Sequence, residues 1–286
     1  MVTSLGRAPM QKIESVVDRR ELLSGLAIAG LGLAAMPATS MAKDAALPLN
    51  TPEENLRAIV RVSASLKEVD CPWYYNGTIF GVVGEEQPRP LFNFTGMEMY
   101  RMIRIAPDEY EMIGNTVTFF RDFETNVFLY DYKNPYTGAT NKVEAAVQGG
   151  KAGRGFEYSV RGIRPKMAKD KFPDQPLKMW WTAAGDYIWL HDSTVYPPGM
   201  QAPRMQRKTN FIRRDQFLDP KVDSLASMFT AAVFMPWPKW MEMGERPGHI
   251  VWHASGAKLK SVADIPDEHR NRAMNEHPER MSLAPT

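Results

Sequence analysis

The sequence is poor in cysteine and has almost no excess charge of either sign. Cys71 is the one cysteine among 286 residues, so an internal disulfide and a cysteine-rich metal site are both excluded. The 35 Lys+Arg and 33 Asp+Glu residues leave a net charge of +2, which is too small to favour nucleic acid as a partner. With 44% hydrophobic and 24% charged residues, the composition is globular and excludes both disorder and a multi-span membrane protein.

Familiar cofactor and hydrolase motifs are also missing. The chain contains no GxGxxG, P-loop, GxSxG, HExxH or CxxC sequence. Their absence argues against nucleotide cofactors bound through these loops and against the common hydrolases, although catalytic residues can still come from separate strands. We therefore predict no bound cofactor and no metal site.

The amino terminus has the organisation of a bacterial export signal. The adjacent Arg19 and Arg20 precede a weakly apolar stretch, Leu26–Met36, and small residues then lead to Ala42. The apolar stretch is too short to span a bilayer, and the arginine pair is typical of the twin-arginine route. The alternative is an amphipathic or buried helix in which the arginine pair occurs by chance.

The export interpretation divides the chain in two. Residues 1–42 would be the twin-arginine signal, and residues 43–286 would form a single mature domain of about 244 residues without a membrane span. Because this route carries folded cargo, we expect the protein to fold first and then reach the periplasm through the twin-arginine export machinery.

From Trp73 onward, alternating and apolar segments predict many short antiparallel strands. A sandwich or a closed barrel accommodates such strands, and a single antiparallel β-barrel with a few peripheral helices is the simpler interpretation. Gly114-Asn115 is predicted to be a hairpin turn. Predicted helices begin at Thr51, as a capping box with Glu54, and at Asp219-Pro220. A further, polar helix is expected from Asp264 to Pro278, with His269 and His277 in solvent.

Two arginines lie on otherwise apolar strand faces. Arg101 lies between Met99 and Ile103 in the alternation, and Arg121 follows Phe119 on its strand. A buried guanidinium must meet a carboxylate or an anionic ligand. Arg101 is therefore a candidate catalytic residue in the lumen, and Arg121 a candidate ligand-binding residue. The alternative is that Arg101 lies at a rim or pairs with Glu98 or Asp122.

Histidines and a tyrosine could move protons. His249 and His253 have metal-ligand spacing for a helix, but the residues between them favour a strand, on which they would lie about 13 Å apart. We consider His249, His253 and Tyr100 candidate catalytic groups, with a purely structural role as the alternative for each histidine. His191, beside Asp192, is a candidate ligand-binding residue.

The sequence is rich in large, flat and flexible apolar side chains, with 18 Met and 7 Trp. They occur on strands and in the Pro-rich segment Met235–Met243, which is predicted to lie across a cavity mouth. Such side chains suit planar or greasy ligands, although burial in a core is the alternative. The candidate ligand-binding residues of this kind are Trp73, Tyr75, Trp237, Trp240 and Met243.

Three segments resemble a known but uncharacterised family. They are Asn134–Gly138, with the sequence NPYTG, the long stretch Trp237–His249, and His253–Gly256. Together they are similar to domain of unknown function 1838, a bacterial and fungal family, and the resemblance extends from about Thr51 to Pro278. It implies a lipocalin-like β-barrel and, often, a twin-arginine signal. It implies no activity.

Two classes of function remain. In the first, the lumen holds a hydrophobic, aromatic or polycyclic substrate for a cofactor-independent lyase, decarboxylase or isomerase, with Arg101 stabilising an anion. In the second, the protein is a carrier or scavenger of an apolar ligand, including haem with one axial histidine. The expectation of a buried lumen arginine favours the enzyme.

Overall fold

The computed structural model describes residues 47–149, 155–166, 169, 172–196 and 204–283. The predicted export signal, residues 1–42, lies outside this range, and the described residues belong to one compact unit. The strands are β1 Cys71–Val82, β2 Arg89–Ala106, β3 Glu109–Arg121, β4 Asp131–Lys133, β5 Thr140–Lys142, β6 Ala146–Gly149, β7 Phe156–Ser159, β8 Gly162–Pro165, β9 Trp180–Ala184, β10 Tyr187–Val195, β11 Met205–Arg213, β12 Ser227–Met235 and β13 His249–Lys258. The described helices are α1 Pro52–Ser63, α2 Arg214–Leu218 and α3 Asp267–Glu276, with short 3₁₀ turns at Lys239–Met241, Val262–Asp264 and Pro278–Arg280.

One antiparallel sheet dominates the fold and curls into a half-barrel. Its strands follow the order β8-β7-β3-β2-β1-β13-β12-β11-β10-β9, and β6 pairs with β3 beside β7. Within the described residues the edge strands β8 and β9 are not paired with each other, so the ladder stays open. The prediction of a mainly β protein with one curved antiparallel sheet and peripheral helices is therefore confirmed, in the form of a half-barrel.

Two segments cover opposite ends of the concave face. Helix α1 begins with the predicted capping box, in which Thr51 and Glu54 exchange side-chain hydrogen bonds with each other's backbone N–H. Its apolar side packs against inward residues of β2, β10 and β11. At the other end, the 3₁₀ turn Lys239–Met241 packs its buried Met241 against inward side chains of β1, β2 and β13.

The carboxyl-terminal segment covers the convex face of β1–β3. Met97 and Met99 of β2 and Val117 and Phe119 of β3 are fully buried beneath a layer formed by α3 and its flanking turns. Helix α3 confirms the predicted helical tail, but it is a packed layer. His269 is completely buried on it, so the expectation that this histidine is solvated is wrong.

Two local predictions fail for packing reasons. Gly114-Asn115 is not a turn: β3 runs through it, and the chain reverses at Pro107-Asp108. Gly114 is needed because the ring of Tyr100 lies over it, and a Cβ there would be 2.6 Å from Tyr100 Cδ1. The helix expected from Asp219 is also wrong, because Ser227–Met235 forms β12 between β11 and β13. The register of a central strand overrides weak local helix signals.

Candidate functional site

The concave face of the half-barrel encloses a cavity of about 1730 Å³. This volume exceeds the roughly 300–1,000 Å³ of an ordinary small-molecule pocket, so it has room for a polycyclic or extended ligand. Inward side chains of seven neighbouring strands, from β3 round to β10, form most of its wall. Its aromatic lining includes Trp73, Tyr75, Phe94, Phe229, Trp240 and Trp252.

Inward-facing glycines allow the rings to lie against the sheet. A Cβ on Gly96 would be 2.3 Å from Cζ of Tyr75, and a Cβ on Gly256 would be 2.6 Å from Cε1 of Phe229. Tyr75 is anchored in this position because its hydroxyl is 2.7 Å from Oγ1 of Thr118. The indole N–H of Trp73 donates to the carbonyl of Ser63 at 3.0 Å. The polar tips of these two rings are therefore satisfied by the protein, and their apolar surfaces face the cavity.

Lys208 of β11 extends into this aromatic cavity. Its Nζ is 4.4 Å from the ring centroid of Phe229 and 5.0 Å from that of Trp73. Burial lowers the pKa of Lys208, and the charges of Glu98 and Asp192 partly oppose this effect. Among the described residues, no carboxylate oxygen lies within 4 Å of Nζ. The ammonium is thus held by ring faces and by more distant charges.

Two carboxyl groups, one from β10 and one from β2, line the same cavity as Lys208. Asp192 of β10 is directly opposite Lys208 in the β10–β11 register, and its Oδ1 accepts a hydrogen bond of 3.1 Å from Thr194. Burial raises the pKa of Asp192, whereas that hydrogen bond and Lys208 lower it. Glu98 of β2 is opposite Trp73 and also lines the cavity. A raised carboxyl pKa suits a group that holds or delivers a proton.

Tyr158 of β7 adds a fourth titratable group to the lining. Burial raises the pKa of Tyr158, and the negative charges of Asp192 and Glu98 raise it further. The charges of Glu98 and Asp192 thus act on both Lys208 and Tyr158 across the same cavity. We refer to Glu98, Tyr158, Asp192 and Lys208 as the polar cluster. Groups whose environments move their pKa values in this way are candidates for functional sites.

Several aromatic residues predicted from the sequence do line the cavity. Tyr100, Trp73 and Tyr75 face it from β1 and β2, while Trp237 and Trp240 reach it from the segment before β13. Met243 is buried next to this segment, where it contacts the side-chain amide of Asn134 at 3.2 Å, and it is not part of the lining. The NPYTG turn thus holds the Trp-rich segment in place, since Asn134 also donates to the carbonyl of Met241 at 2.8 Å.

The two predicted arginines lie on the convex face. Arg101 Nη2 is 2.6 Å from Oδ1 of Asp70, and both side chains are partly exposed. Arg121 is 5% exposed and contacts Glu268 of α3 at 2.8 Å. The expectation of a lumen arginine is corrected here, because odd-numbered residues of β2 and β3 face the carboxyl-terminal layer and even-numbered residues face the cavity. Arg101 meets Asp70, a partner that differs from both of the alternatives considered.

The histidines also lie away from the cavity centre. His249 and His253 share the outward face of β13, whereas Ile250, Trp252 and Ala254 line the cavity. Burial and the charge of Arg204 lower the pKa of His249, whose ring lies beside Phe234. His191 is at the cavity margin.

Both ring nitrogens of His191 are already engaged. Nε2 lies 2.9 Å from Oγ1 of Thr182, and Nδ1 lies 3.4 Å from Oγ1 of Thr209. Its ring is also close to that of Trp180, with centroids 4.4 Å apart. Burial and the charge of Arg207 lower the pKa of His191. The imidazole is therefore oriented by the protein, in a position where it supports the rim of the cavity.

Sequence reasoning missed Lys208, Asp192, Glu98 and Tyr158 as site residues. One signal was present: Asp192 follows Ile188 and Leu190 in the alternation of β10, so it is a charge on an apolar face like the two arginines. Strand alternation places Glu98 on the face opposite that of Arg101, and this opposite face is the one that lines the cavity. Lys208 gave no signal, because polar residues occur on both faces of β11.

The described residues contain no group of three or more His, Cys, Asp or Glu side chains placed to hold a metal ion. None of the described helices is both long and apolar enough to cross a membrane.

The fold and the cavity define a class: a β half-barrel whose concave face holds a large aromatic cavity with a few charged groups inside it. The chain belongs to the family described as protein of unknown function (DUF1838), whose model matches residues 69–157 and 202–286. Glu98 and Lys208 lie within the matched segments, and Tyr158 and Asp192 lie between them. No curated protein and no solved structure matches the chain.

Proposed function

We propose that the concave face binds a planar, largely apolar small molecule that carries one anionic oxygen group, and that this group contacts Lys208. The observation that carries the proposal is the position of the Lys208 ammonium between two aromatic rings, with no carboxylate within 4 Å among the described residues. Aromatic walls favour a flat body, and the cation favours an anion at one point on it.

The energetics support this ligand chemistry. A charge that is partly removed from water is costly unless it is paired, and an anionic ligand would supply the missing partner of Lys208. A charge-assisted hydrogen bond contributes about 1.5–3 kcal/mol. This corresponds to roughly 10- to 150-fold in the dissociation constant. The ring faces of Trp73 and Phe229 flank the same point, so the apolar and ionic contacts are adjacent.

We propose further that the protein is an enzyme that moves a proton without a cofactor, as a lyase, decarboxylase or isomerase does. Lys208 would stabilise the negative charge that develops on the ligand oxygen. Asp192, with its raised pKa, would accept or return the proton, taking the place of Arg101 and the histidines in our original hypothesis. Tyr100 and Tyr158 line the same space as further proton donors.

The binding proposal is tested with a matched pair of ligands. Naphthoate and naphthalene have the same flat body and differ in the carboxylate, and binding of each is followed by quenching of tryptophan fluorescence. Lys208→Gln is expected to weaken naphthoate binding by roughly 10-fold or more and to leave naphthalene binding unchanged. Lys142→Gln is the control, since Lys142 is 83% exposed, pairs with Asp131 and does not line the cavity. Equal affinity of the wild type and Lys208→Gln for naphthoate would overturn the proposal.

Hydrogen-isotope exchange distinguishes an enzymatic function from a carrier function. Aromatic acids with an acidic C–H beside the carboxylate are incubated with the protein in deuterated water, and deuterium uptake is measured by NMR. Asp192→Asn is expected to abolish the exchange catalysed by the wild-type protein while it retains binding. Binding without any exchange across such a series favours the carrier, the alternative function. Haem is not favoured as the ligand, because His249 and His253 lie on the outward face of β13 and both ring nitrogens of His191 already contact threonine hydroxyls.

We also propose that the protein works in the periplasm, a proposal that rests on the sequence of residues 1–42. Replacing Arg19 and Arg20 by lysine is expected to leave the protein in the cytoplasmic fraction, because the twin-arginine route requires both arginines. Cell fractionation with an antibody against the protein measures this. Unchanged export of the double variant would contradict the assigned route.

A further inference from the structure

Two lysines of the fold are partly buried, and the protein holds their amines in different ways. Lys258 Nζ donates to the carbonyls of Arg61, Val62 and Ala64 at 2.7, 3.0 and 2.8 Å, at the end of α1. All three of its N–H bonds therefore have an acceptor. Lys208 Nζ makes no hydrogen bond to any described residue and lies over the rings of Phe229 and Trp73. One amine is fixed to the backbone, and the other faces the cavity.

We propose that the Lys208 amine forms an imine with an aldehyde or ketone group on a planar apolar molecule bound in the cavity. The inference rests on the proposed function, since it uses the same cavity and the same lysine, and it names a second ligand class: aromatic carbonyl compounds. A lysine in an apolar pocket beside acid groups is the arrangement in which amines act as nucleophiles towards carbonyls.

The chemistry balances with groups already in the cavity. The lone pair of neutral Nζ attacks the carbonyl carbon, and the π electrons of C=O move to the oxygen, which takes a proton from a neighbouring acid. The nitrogen then loses one proton, and the hydroxyl group takes one and leaves as water while the C=N bond forms. The resulting iminium nitrogen gives its remaining proton back to the acid group. The net change is R₂C=O + Lys–NH₂ → R₂C=N–Lys + H₂O, with no oxidant or reductant.

Each side chain of the polar cluster has a place in these steps. Burial lowers the pKa of Lys208, so a larger fraction of its amine is neutral than for a lysine in water. Asp192 is opposite Lys208 and has a raised pKa, which suits it to deliver the proton that releases water. Glu98 and Tyr158 face the same space from β2 and β7 and can pass on the proton lost by nitrogen. The aromatic walls hold the flat part of the ligand beside the amine.

The test is reductive trapping in the full-length protein. The protein is incubated with naphthaldehyde and sodium cyanoborohydride, digested, and mapped by mass spectrometry. An imine at Lys208 is reduced to a secondary amine, so the peptide gains the mass of naphthaldehyde less one oxygen atom. Lys208 is expected to be modified faster than exposed Lys142, because burial lowers the pKa of Lys208 and leaves more of its amine neutral. Lys258 is expected to stay unmodified.

Two separate readouts on the wild-type protein distinguish this inference from the proposed function. Naphthoate binding reports the anion contact and trapping at Lys208 reports the imine, while Lys208→Arg, which cannot form an imine, is expected to lose the trapped product at this position. Modification of wild-type Lys208 no faster than that of Lys142 would overturn the imine while leaving anion binding intact. If Lys208→Gln instead binds naphthoate as tightly as the wild type does, the proposed function itself is wrong.

Discussion

On the convex face of the sheet, Arg121 and Arg101 each contact a carboxylate at 2.8 Å or less, whereas Lys208 on the concave face has none within 4 Å among the described residues. The convex charges connect the sheet to segments that pack on it, since Glu268 belongs to α3 and Asp70 also accepts from the backbone N–H of Leu283. The concave charges surround a space. The same sheet thus uses charge for packing on one face and leaves it available on the other.

This difference refines the meaning of a charge on an apolar strand face. Such a residue must have a partner, but the alternation of the strand does not say whether the partner comes from the protein or from a ligand. Arg121 and Asp192 both interrupt an apolar strand face in the sequence, and only the packing of α3 against Arg121 separates them. The informative observation is therefore a buried charge whose partner is missing within the fold.

The largest expected effect is on the convex face. Arg121→Met removes a guanidinium that contacts Glu268, donates to the carbonyl of Asn126 at 2.8 Å, and stacks on Phe128 at 3.8 Å. Breaking a buried pair costs about 3–5 kcal/mol, and about 2–4 is expected here because Glu268 is 62% exposed and regains water. Urea unfolding measures the loss.

Arg101→Met is the matched control for that variant. The pair of Arg101 and Asp70 is 20% and 24% exposed, so its loss is expected to cost about 1 kcal/mol. Equal destabilisation by both variants would show that α3 is not held by Arg121. The charges of the convex face would then not be distinguished from that of Lys208 by a role in holding packed segments.

The next effect is a pH dependence located in the convex layer. Burial, together with the charges of Arg121 and Arg272, lowers the pKa of His269 from its ordinary 6.5 to about 4. Below pH 6.5 the imidazole of His269 is protonated in the unfolded chain but stays neutral in the folded chain. The free energy of unfolding therefore falls as the pH drops towards 4. By pH 5 the loss from this residue is about 2 kcal/mol. Unfolding by urea at pH 7 and pH 5 measures it.

The control separates His269 from the other titrating groups. His269→Asn keeps a polar atom near Oγ1 of Thr95, which is 3.1 Å from Nδ1, and should flatten the difference in stability between the two pH values. His253→Asn changes an exposed histidine on the outward side of β13 and should leave the difference unchanged. An identical pH response of wild type and His269→Asn would mean that His269 is not the neutral buried group described here.

The general form of the fold was predictable from local sequence features, and the errors in the prediction arose from long-range packing. The Thr51–Glu54 capping box and the short alternating strands are local, so both were predictable. The turn predicted at Gly114 was wrong because this glycine makes room for the ring of Tyr100. That ring lies above Gly114 only because β2 pairs with β3. Strand β12 was missed because its place depends on β11 and β13.

The candidate site was half predictable for a similar reason. The aromatic lining of β1 and the Trp-rich segment follow from composition, since large flat side chains gather where they can be buried. The charged lining residues could not be predicted in this way, because Met97 and Met99 make the convex face of β2 as apolar as an interior face. That face is buried by α3, a helix that is distant in sequence. Which side of the sheet held the cavity could be learned only from the fold.

The smallest expected effect, and the one of opposite sign, is on the concave face. Lys208→Met replaces a buried ammonium that lacks a carboxylate partner with an apolar side chain of similar length, so the protein is expected to become about 1 kcal/mol more stable. Lys258→Met is the control, because it strips three carbonyls at the end of α1 of their donor and should instead destabilise the protein. Thermal unfolding compares the two variants.

A Lys208→Met variant that is more stable and no longer binds naphthoate is the combination expected of a residue retained for its ligand, because the fold gains nothing from its charge. A destabilised variant would assign Lys208 to packing, as Arg121 is, and the two faces would no longer differ.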